Sequence, residues 1–526
     1  MLLSQLAQGL AAKIRPLPVP GGVADVELRS ACFDSRRVQP GDLYCALPGH
    51  QSHGANFLGD AIRAGAVAWL VDQAYLGQAA TDGRNLPKLL PTLIVSAEQN
   101  VAAVAAETAA TLAGHPSRSM HLAAVTGTNG KSTIVHLMAQ AWNHVGWSAG
   151  RVGTLGFEFS GQASDSLNTT PSADLLQNWM RQILVAGARA VVLEASSHGI
   201  HQQRLAATDV NCIGWTNLSH DHLDYHNDMQ SYAAAKAELI HQQSSAGLAL
   251  LPLADSRIWK VAEGAACRLL SWSLDDATAD VHGRCLAAPS STTQKSSSSL
   301  PFGIHLQIDG AFGACEISST LVGRHNAENL LLAFALLRAS GLTLEQSVQG
   351  LQAAAAAPGR LQQVAVQSPW RLFVDYAHTP EALQRVLKAL RVAYPQQRIG
   401  IVCGAGGDRD PMKRAPMGQA AATGADWCML TSDNPRCEDP DSILDAVVAG
   451  AQLASDEAQV ASNDPHSQIH RQVDRRLAIQ KAVALLQPGD VLLVAGKGHE
   501  PYQEINGVRY PFDDCLVLEE AAQCCS

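Results

Sequence analysis

Short apolar runs alternate along the chain with polar turns rich in glycine and proline, at spacings that switch between strand and helix lengths. Residues 42–47, 66–71 and 92–95 are apolar stretches of the length of a buried strand. The alanine-rich segment 101–112 predicts a helix, broken by Gly114-His115-Pro116-Ser117. This first block, residues 1–115, reads as a small α/β module.

A second block, 116–357, opens with an apolar strand at 121–125, then the glycine-rich turn Thr126-Gly-Thr-Asn-Gly-Lys-Ser-Thr133, then a helix over 134–144. Strand, phosphate-type turn and helix in that order begin a nucleotide-binding α/β sheet, mostly parallel. Further buried strands are predicted at 190–193 and 212–215. The polar stretch 289–299, PSSTTQKSSSS, predicts a surface loop. A third block, 358–526, alternates strands (371–374, 398–403, 490–495) with helices (382–393, 442–453, 478–486). That alternation predicts a Rossmann-like, doubly wound parallel sheet. The charged stretch 456–472 predicts an exposed loop. The class is therefore α/β with three domains, and no internal repeat is present.

Composition narrows the function. A chain of 526 residues exceeds one core and fits three or four domains at roughly 150 residues each. Hydrophobic residues at 47% exclude a mostly disordered chain. Lys+Arg 38 against Asp+Glu 48 gives −10, which opposes a nucleic-acid partner because that needs a basic field. The 12 cysteines are scattered without a C-x-x-C pair and read as free thiols of a reducing compartment. The N-terminus makes a poor signal peptide, and no run of about 18 apolar residues suits a membrane span. A cytoplasmic protein without membrane contact is expected.

The strongest local chemistry is Gly127, Thr128, Asn129, Gly130, Lys131, Ser132 and Thr133. Glycines there let several N–H groups converge on one phosphate, and the following helix start adds a positive dipole. Lys131 would meet the β/γ-phosphates of a nucleoside triphosphate and Ser132 a Mg²⁺ ion. The usual spacing wants glycine at 125, where Val125 stands. Glu194, ending a predicted strand in EASSHG, is placed to ligate Mg²⁺ or, alternatively, to cap a helix. Residues 220–226 hold three histidines and two aspartates, which read as one ligand among caps and structural groups. Zinc lacks a matching partner pair there. Lys236, in an alanine-rich helix, would by default be a solvated surface lysine. In the third block VDYAHTP, GGDRD, DNPR and GKGHE each follow a strand. Four polar clusters on one sheet edge predict a binding face of both charges, suited to a zwitterion.

With TGTNGKS, EASSHG, NLSHDHLDYH and a downstream AAAK, GRHNAEN and PGR, these motifs run in one order from about Asp34 to Glu500. The set resembles the Mur ligases, in particular the MurE type of peptidoglycan precursor synthesis, which bears on cell wall, cell shape and cell division. DNPR resembles the motif that reads meso-diaminopimelate.

The resemblance implies a uridine-nucleotide domain, a central ATP-binding domain and a C-terminal amino-acid-binding domain. It implies an ATP- and Mg²⁺-dependent ligase that activates the D-Glu γ-carboxylate of UDP-MurNAc-L-Ala-D-Glu as an acyl phosphate. An amine of meso-diaminopimelate then attacks, and the enzyme works as a monomer. Lys131, His222 and Lys236 carry catalysis by this resemblance. Ser132, Glu194, His222 and Lys236 hold metal, with Lys236 carbamylated to N6-carboxylysine. Asn326, Arg360 and Asp375 join the phosphate turn in holding nucleotide. Ser35 and His50 match uridine-nucleotide contacts, and Thr169, Thr170, Ser196, Gln202 and Arg204 match the muramoyl-peptide site. Arg409, Asp433, Asn434, Pro435, Arg436, Gly496 and Glu500 match the diaminopimelate site, where a guanidinium can take a carboxylate in two bonds. The alternatives are the same ligase adding L-lysine, or a folylpolyglutamate synthase-like ligase. Lysine lacks the second carboxylate that Arg436 would bind.

Overall fold

The structure is a computed structural model and describes every residue except 18–24, 50–51, 83–89, 287–302, 367, 463–467 and 526. The loop expected at 289–299 and the candidate His50 lie outside the described residues. The chain separates into two compact units. One comprises Met1–Gly283, Asp309–Ala314 and Leu331–Leu351; the other comprises Arg284–Ile308, Cys315–Leu330 and Gln352–Ser526.

The first unit opens with a five-stranded sheet in the order Ile14–Pro16, Thr92–Val95, Ala68–Asp72, Leu43–Ala46, Ala31–Cys32. All its neighbours are parallel except the first pair. The helix Val101–Ala113 packs on one face through Val104, Ala105 and Ala109. The Asn100 side chain starts it by accepting from the N–H groups of Ala102 and Ala103, and Gly114 ends it in the left-handed region at φ 81°.

A larger, mostly parallel sheet follows, with its centre in the same unit. His121–Thr126 sits at its centre, paired on one side with Ala190–Glu194 and on the other with Cys212–Trp215. The outer neighbours Ala149–Gly153 and Leu248–Pro252 are also parallel. The three central strands are apolar apart from His121, Thr126 and Glu194, as strands buried on both faces are. Val125 explains the missing first glycine. It is fully buried and lies inside the strand, paired with Glu194 and Gly214, so the turn starts only at Gly127.

In the second unit the parallel strands run in the order Arg371–Asp375, Val491–Ala495, Ile399–Cys403, Trp427–Leu430, Gln468–Arg471. Alternate strand residues face two separate cores. Phe373, Ile401 and Leu493 meet Leu383, Met417 and Val447, whereas Val374, Val402 and Leu492 meet Ile479 and Leu518. Apolar helices on both faces make the sheet doubly wound, as expected.

The loop expected over 456–472 is corrected. The helix Pro440–Ser462 runs into it, and Gln468–Arg471 is the outermost strand, bonded on one side to Trp427–Leu430. Its half-exposed, polar residues mark an edge strand, where one row of backbone groups meets solvent and charge blunts further pairing. No helix among the described residues is long and apolar enough to cross a membrane.

Candidate active site

In the first unit the phosphate turn is laced to two other loops. Gly127 has φ +130°, and a Cβ there would run into Thr216 Oγ1 and the Asn217 backbone, so glycine is required. The Thr216 hydroxyl donates to the Asn129 carbonyl at 2.6 Å, and the Asn129 N–H donates to Asn217 Oδ1 at 3.0 Å. The Ser219 N–H donates to Thr128 Oγ1 at 3.0 Å. Gly130 precedes the helix Lys131–His144, whose first turn carries Ser132 and Thr133, both buried. Lys131 Nζ folds back and donates to the carbonyls of Gly127 (2.9 Å) and Thr128 (2.8 Å).

Lys236 departs from the default reading. Its residue is 1% exposed, and Nζ donates to the same Gly127 carbonyl at 3.0 Å while lying 4.5 Å over the Tyr232 ring. Burial pushes its ammonium well below the usual lysine range, and the Lys131 charge adds to that; Asp221 opposes it. The alternation of small alanines around it lets the helix Met229–His241 press close to the turn, with Tyr232, Ala233 and Ala237 in the core. A neutral amine held beside the phosphate turn is the nucleophilic form of lysine.

Glu194, 2% exposed, ends the strand Ala190–Glu194. Its Oε1 accepts the Thr154 N–H at 2.9 Å and its Oε2 the Thr154 hydroxyl at 3.2 Å. The helix-cap alternative falls to Ser196, whose hydroxyl accepts from the Gly199 N–H. Around Glu194 a connected patch gathers five of the expected residues. Thr169 Oγ1 lies 3.1 Å from Thr154 Oγ1, and the Thr170 hydroxyl donates to the Glu194 carbonyl at 2.7 Å and lies 3.0 Å from Ser196 Oγ. Arg204 donates to the Thr170 carbonyl and to Gln202 Oε1, each at 2.6 Å. His222 stands in the left-handed region at φ 53°, half-exposed, with its ring 4.8 Å from that of His198. Burial first, and then the neighbouring histidines and Lys236, pull His226 down to about 4, so it is neutral in this cluster.

Ser35 sits in the short helix Ser35–Arg37, started by Asp34, whose carboxylate accepts the Arg36 N–H. Nearby, the Phe33 N–H donates to Asp174 Oδ2 at 3.2 Å and Arg37 reaches the same oxygen at 4.0 Å, so the first sheet is tied to the helix Ala173–Val185.

In the second unit Asp375 ends its strand, with both carboxylate oxygens held by backbone N–H groups, Leu361 at 2.6 Å and Ala377 at 2.8 Å. Burial raises it, and the Arg360 guanidinium opposes that. Arg360 stacks 5.2 Å over Tyr376. Asn326 is buried, donating to the Val322 carbonyl and accepting from Asn329. Next to Asp375, Gly496 takes φ +116°, and a Cβ there would approach Asp433 Oδ2 to 2.7 Å. Asn434 Nδ2 donates to Glu500 Oε2 at 2.9 Å. Arg436, past Pro435, has φ 53°; its backbone bonds Glu504 and Asn506, and Nη1 donates to the Gly407 carbonyl at 2.6 Å. Arg409 is exposed, and its charge joins that of Arg436 in lowering Lys413, after burial. Asp433, Asn434, Gly496 and Glu500 are thus one cluster.

Thr154, which bonds Glu194 across 40 residues, carries no local sequence signal. Asn217 and Lys497 stand inside conspicuous motifs, and their polar type in a turn after a strand was the available signal.

Three family models match in tandem. They are the Mur ligase family catalytic domain over 29–122, the Mur ligase middle domain over 125–337 and the Mur ligase glutamate ligase domain over 359–498. The chain is 37% identical to the UDP-N-acetylmuramoyl-L-alanyl-D-glutamate–2,6-diaminopimelate ligase of Chromobacterium violaceum, over 93% of each chain. It is 38% identical to the same-named ligase of Streptomyces avermitilis, over 95% of this chain and 93% of that one. A solved structure of a ligase with that name superposes with TM-score 0.66 at 32% identity, covering 94% of this chain and 95% of that one. A folylpolyglutamate synthase structure from Thermotoga maritima shares the fold at TM-score 0.57 and 15% identity, covering 74% of this chain and 89% of that one. The chain belongs to the Mur ligase family, with its three-domain α/β architecture. Its class is that of the ATP-dependent ligases.

Proposed function

We propose that this ligase adds meso-diaminopimelate to the D-Glu γ-carboxylate of UDP-MurNAc-L-Ala-D-Glu in peptidoglycan precursor synthesis. The observation that carries the reading is one chain holding both a phosphate turn locked against a buried lysine and the Asp433–Arg436 and Gly496–Glu500 cluster of mixed charge. Identity of 37–38% to diaminopimelate ligases over nearly the whole length supports it.

The functional division follows the sequence blocks: 1–115 for the uridine nucleotide, 116–357 for ATP and 358–526 for the amino acid. The N–H groups of 127–133 and the helix start cradle the triphosphate, and Lys131 exchanges its two carbonyls for phosphate oxygens. Asn326, Arg360 and Asp375 hold the rest of the nucleotide. Ser35 and His50 hold the uridine nucleotide, while Thr169, Thr170, Ser196, Gln202 and Arg204 present the dipeptide carboxylate. A carboxylate oxygen bonds to the γ-phosphorus as ADP leaves. The acyl phosphate is then attacked by the amine, phosphate departs, and the amine loses a proton.

Mg²⁺ fits the oxygen-rich set of Ser132 and Glu194 with His222, since a hard cation prefers carboxylate and hydroxyl oxygens. Lys236 fits only as a carbamate, because an ammonium or amine beside Gly127 would repel or ignore the ion. Bound there, Mg²⁺ would spread the charge of the transferring phosphoryl group.

Arg409 and Arg436 answer the distal carboxylate of diaminopimelate, which lysine lacks, and Glu500 answers its ammonium. The enzyme acts as a cytoplasmic monomer without nucleic acid or membrane. Phosphate release in the presence of ATP and UDP-MurNAc-L-Ala-D-Glu, measured over an amino-acid panel, tests the reading. meso-Diaminopimelate is expected to drive turnover and L-lysine to fail. Equal turnover with lysine overturns the substrate, and turnover independent of the dipeptide overturns the ligase.

A further inference from the structure

Lys497 has no role in the mechanism above, yet its side chain is fully buried beneath the amino-acid cluster. Its Nζ donates to Asn434 Oδ1 at 3.0 Å and to Glu500 Oε2 at 3.3 Å, and it lies 3.9 Å from Asp433 Oδ1. The Tyr502 ring flanks it, 5.5 Å from Nζ to centroid.

The bonds around it fix two side chains. Asn434 Oδ1 takes a second bond from the Glu504 N–H at 2.9 Å. With two donors on its oxygen, the amide has one orientation, which turns Nδ2 toward Glu500. Both bonds to Glu500, from Lys497 and from Asn434, end on Oε2. That leaves Oε1 for a ligand on a side chain that is 22% exposed.

Packing alone does not account for a cation here. A buried ammonium is costly unless paired, and an apolar chain of similar volume would fill the space without that cost. Burial pulls Lys497 down, and the carboxylates Asp433 and Glu500 act against it. The other buried cation nearby, Arg475, differs. It pairs with Asp514 and reaches only backbone carbonyls, those of Ser432 and Ala495.

We propose that Lys497 is a positioning residue that locks Asn434 and Glu500 so that Glu500 Oε1 receives the distal ammonium of the incoming diamino acid. This rests on the diaminopimelate reading above. It makes Lys497 a determinant of selectivity for a second ammonium rather than of turnover.

The test compares KM for meso-diaminopimelate with KM for 2-aminopimelate, which keeps one amine and both carboxylates but lacks the second ammonium. Wild type should favour diaminopimelate by roughly 10-fold or more, since a site built to bond a group rejects the analogue without it. In Lys497→Met the ratio should fall toward unity, with KM for ATP and for the UDP-muramoyl dipeptide held. A rise of both amino-acid KM values by one factor, or no change in either, overturns the proposal. Lys497→Gln, which keeps a donor without the charge, carries the same comparison if the methionine variant does not fold. If thermal melts show neither variant folded, Lys497 is a stability residue and the assignment fails. A wild-type enzyme that does not discriminate the two compounds, or that prefers lysine, removes the substrate reading and the proposal with it. An unchanged ratio in the variants removes the proposal alone.

Discussion

Two ammonium groups, those of Lys131 and Lys236, converge on one backbone carbonyl, that of Gly127. Like charges so placed favour loss of a proton from the more buried group, which is Lys236. A neutral amine can take up carbon dioxide, and the product is an anion in place of a cation. Lys236→Ala should therefore lower ligation by roughly 100-fold or more, the size of effect seen when a group stabilising transferring charge is removed. Short carboxylates such as acetate should restore part of the rate. Phosphate release measures both, and a wild-type rate in the alanine variant excludes the carbamate role. At this scale the sequence identifies residue types and their order. It does not fix burial: AAAK in a helix reads as a solvated lysine until the phosphate turn is seen lying over it. Thr154 was silent for a related reason, because its partnership with Glu194 exists only where two strands end side by side.

Between elements, the tie that matters most for the amino-acid cluster is the fully buried pair Arg475–Asp514, at 2.7 Å. Asp514 opens the helix Asp514–Cys524, and Arg475 opens the helix Arg475–Ala484. From there the guanidinium bonds the Ser432 and Ala495 carbonyls, at the starts of the DNPR and GKGHE turns. Removing one partner strands the other charge in the core. Arg475→Met alone should cost about 3–5 kcal/mol, and Asp514→Leu alone a similar amount. The double variant should be more stable than either, because neither charge is left without its partner. Urea unfolding of the four proteins measures this, and additive losses would show that the two residues do not act as a pair. The periodicity predicted the helix over 478–486 but neither the helix Asp514–Cys524 nor this pair, whose members lie 39 residues apart. It also misread 456–472. Polar composition marks an edge strand or a helix end as readily as a loop, and only backbone pairing distinguishes them.

For the whole molecule, acid stability follows from partly buried histidines. His121, His136 and His325 are each pulled down to about 4 by burial. Between about 4 and the unfolded value of 6.5 the unfolded chain binds protons that the folded chain does not. Stability therefore falls as pH drops through that window, by at most about 1.4 kcal/mol per pH unit for each histidine. Asp174 and Asp375, raised by burial, act in the opposite sense and reduce the net loss. The urea midpoint should be lower at pH 5.5 than at pH 7, and His136→Asn should shrink the difference; equal midpoints would overturn the account. The net charge of −10 bears on binding at this scale. On the proposed function, phosphates and carboxylates are held by local groups, such as Lys131, Arg204, Arg360, Arg409 and Arg436, rather than by the overall field.

By itself the sequence determined the α/β class, the succession of strands and helices, the phosphate turn and the order of the motifs. Each depends on neighbours within a few residues: apolar periodicity, turn chemistry and the glycine that a left-handed backbone requires. The tertiary structure alone decided that Lys236 is buried and that Thr154 holds Glu194. It likewise placed Lys497 under Asn434 and Glu500. Those properties arise where segments far apart in the chain exclude water from one another, and desolvation there sets which groups carry charge and where they point.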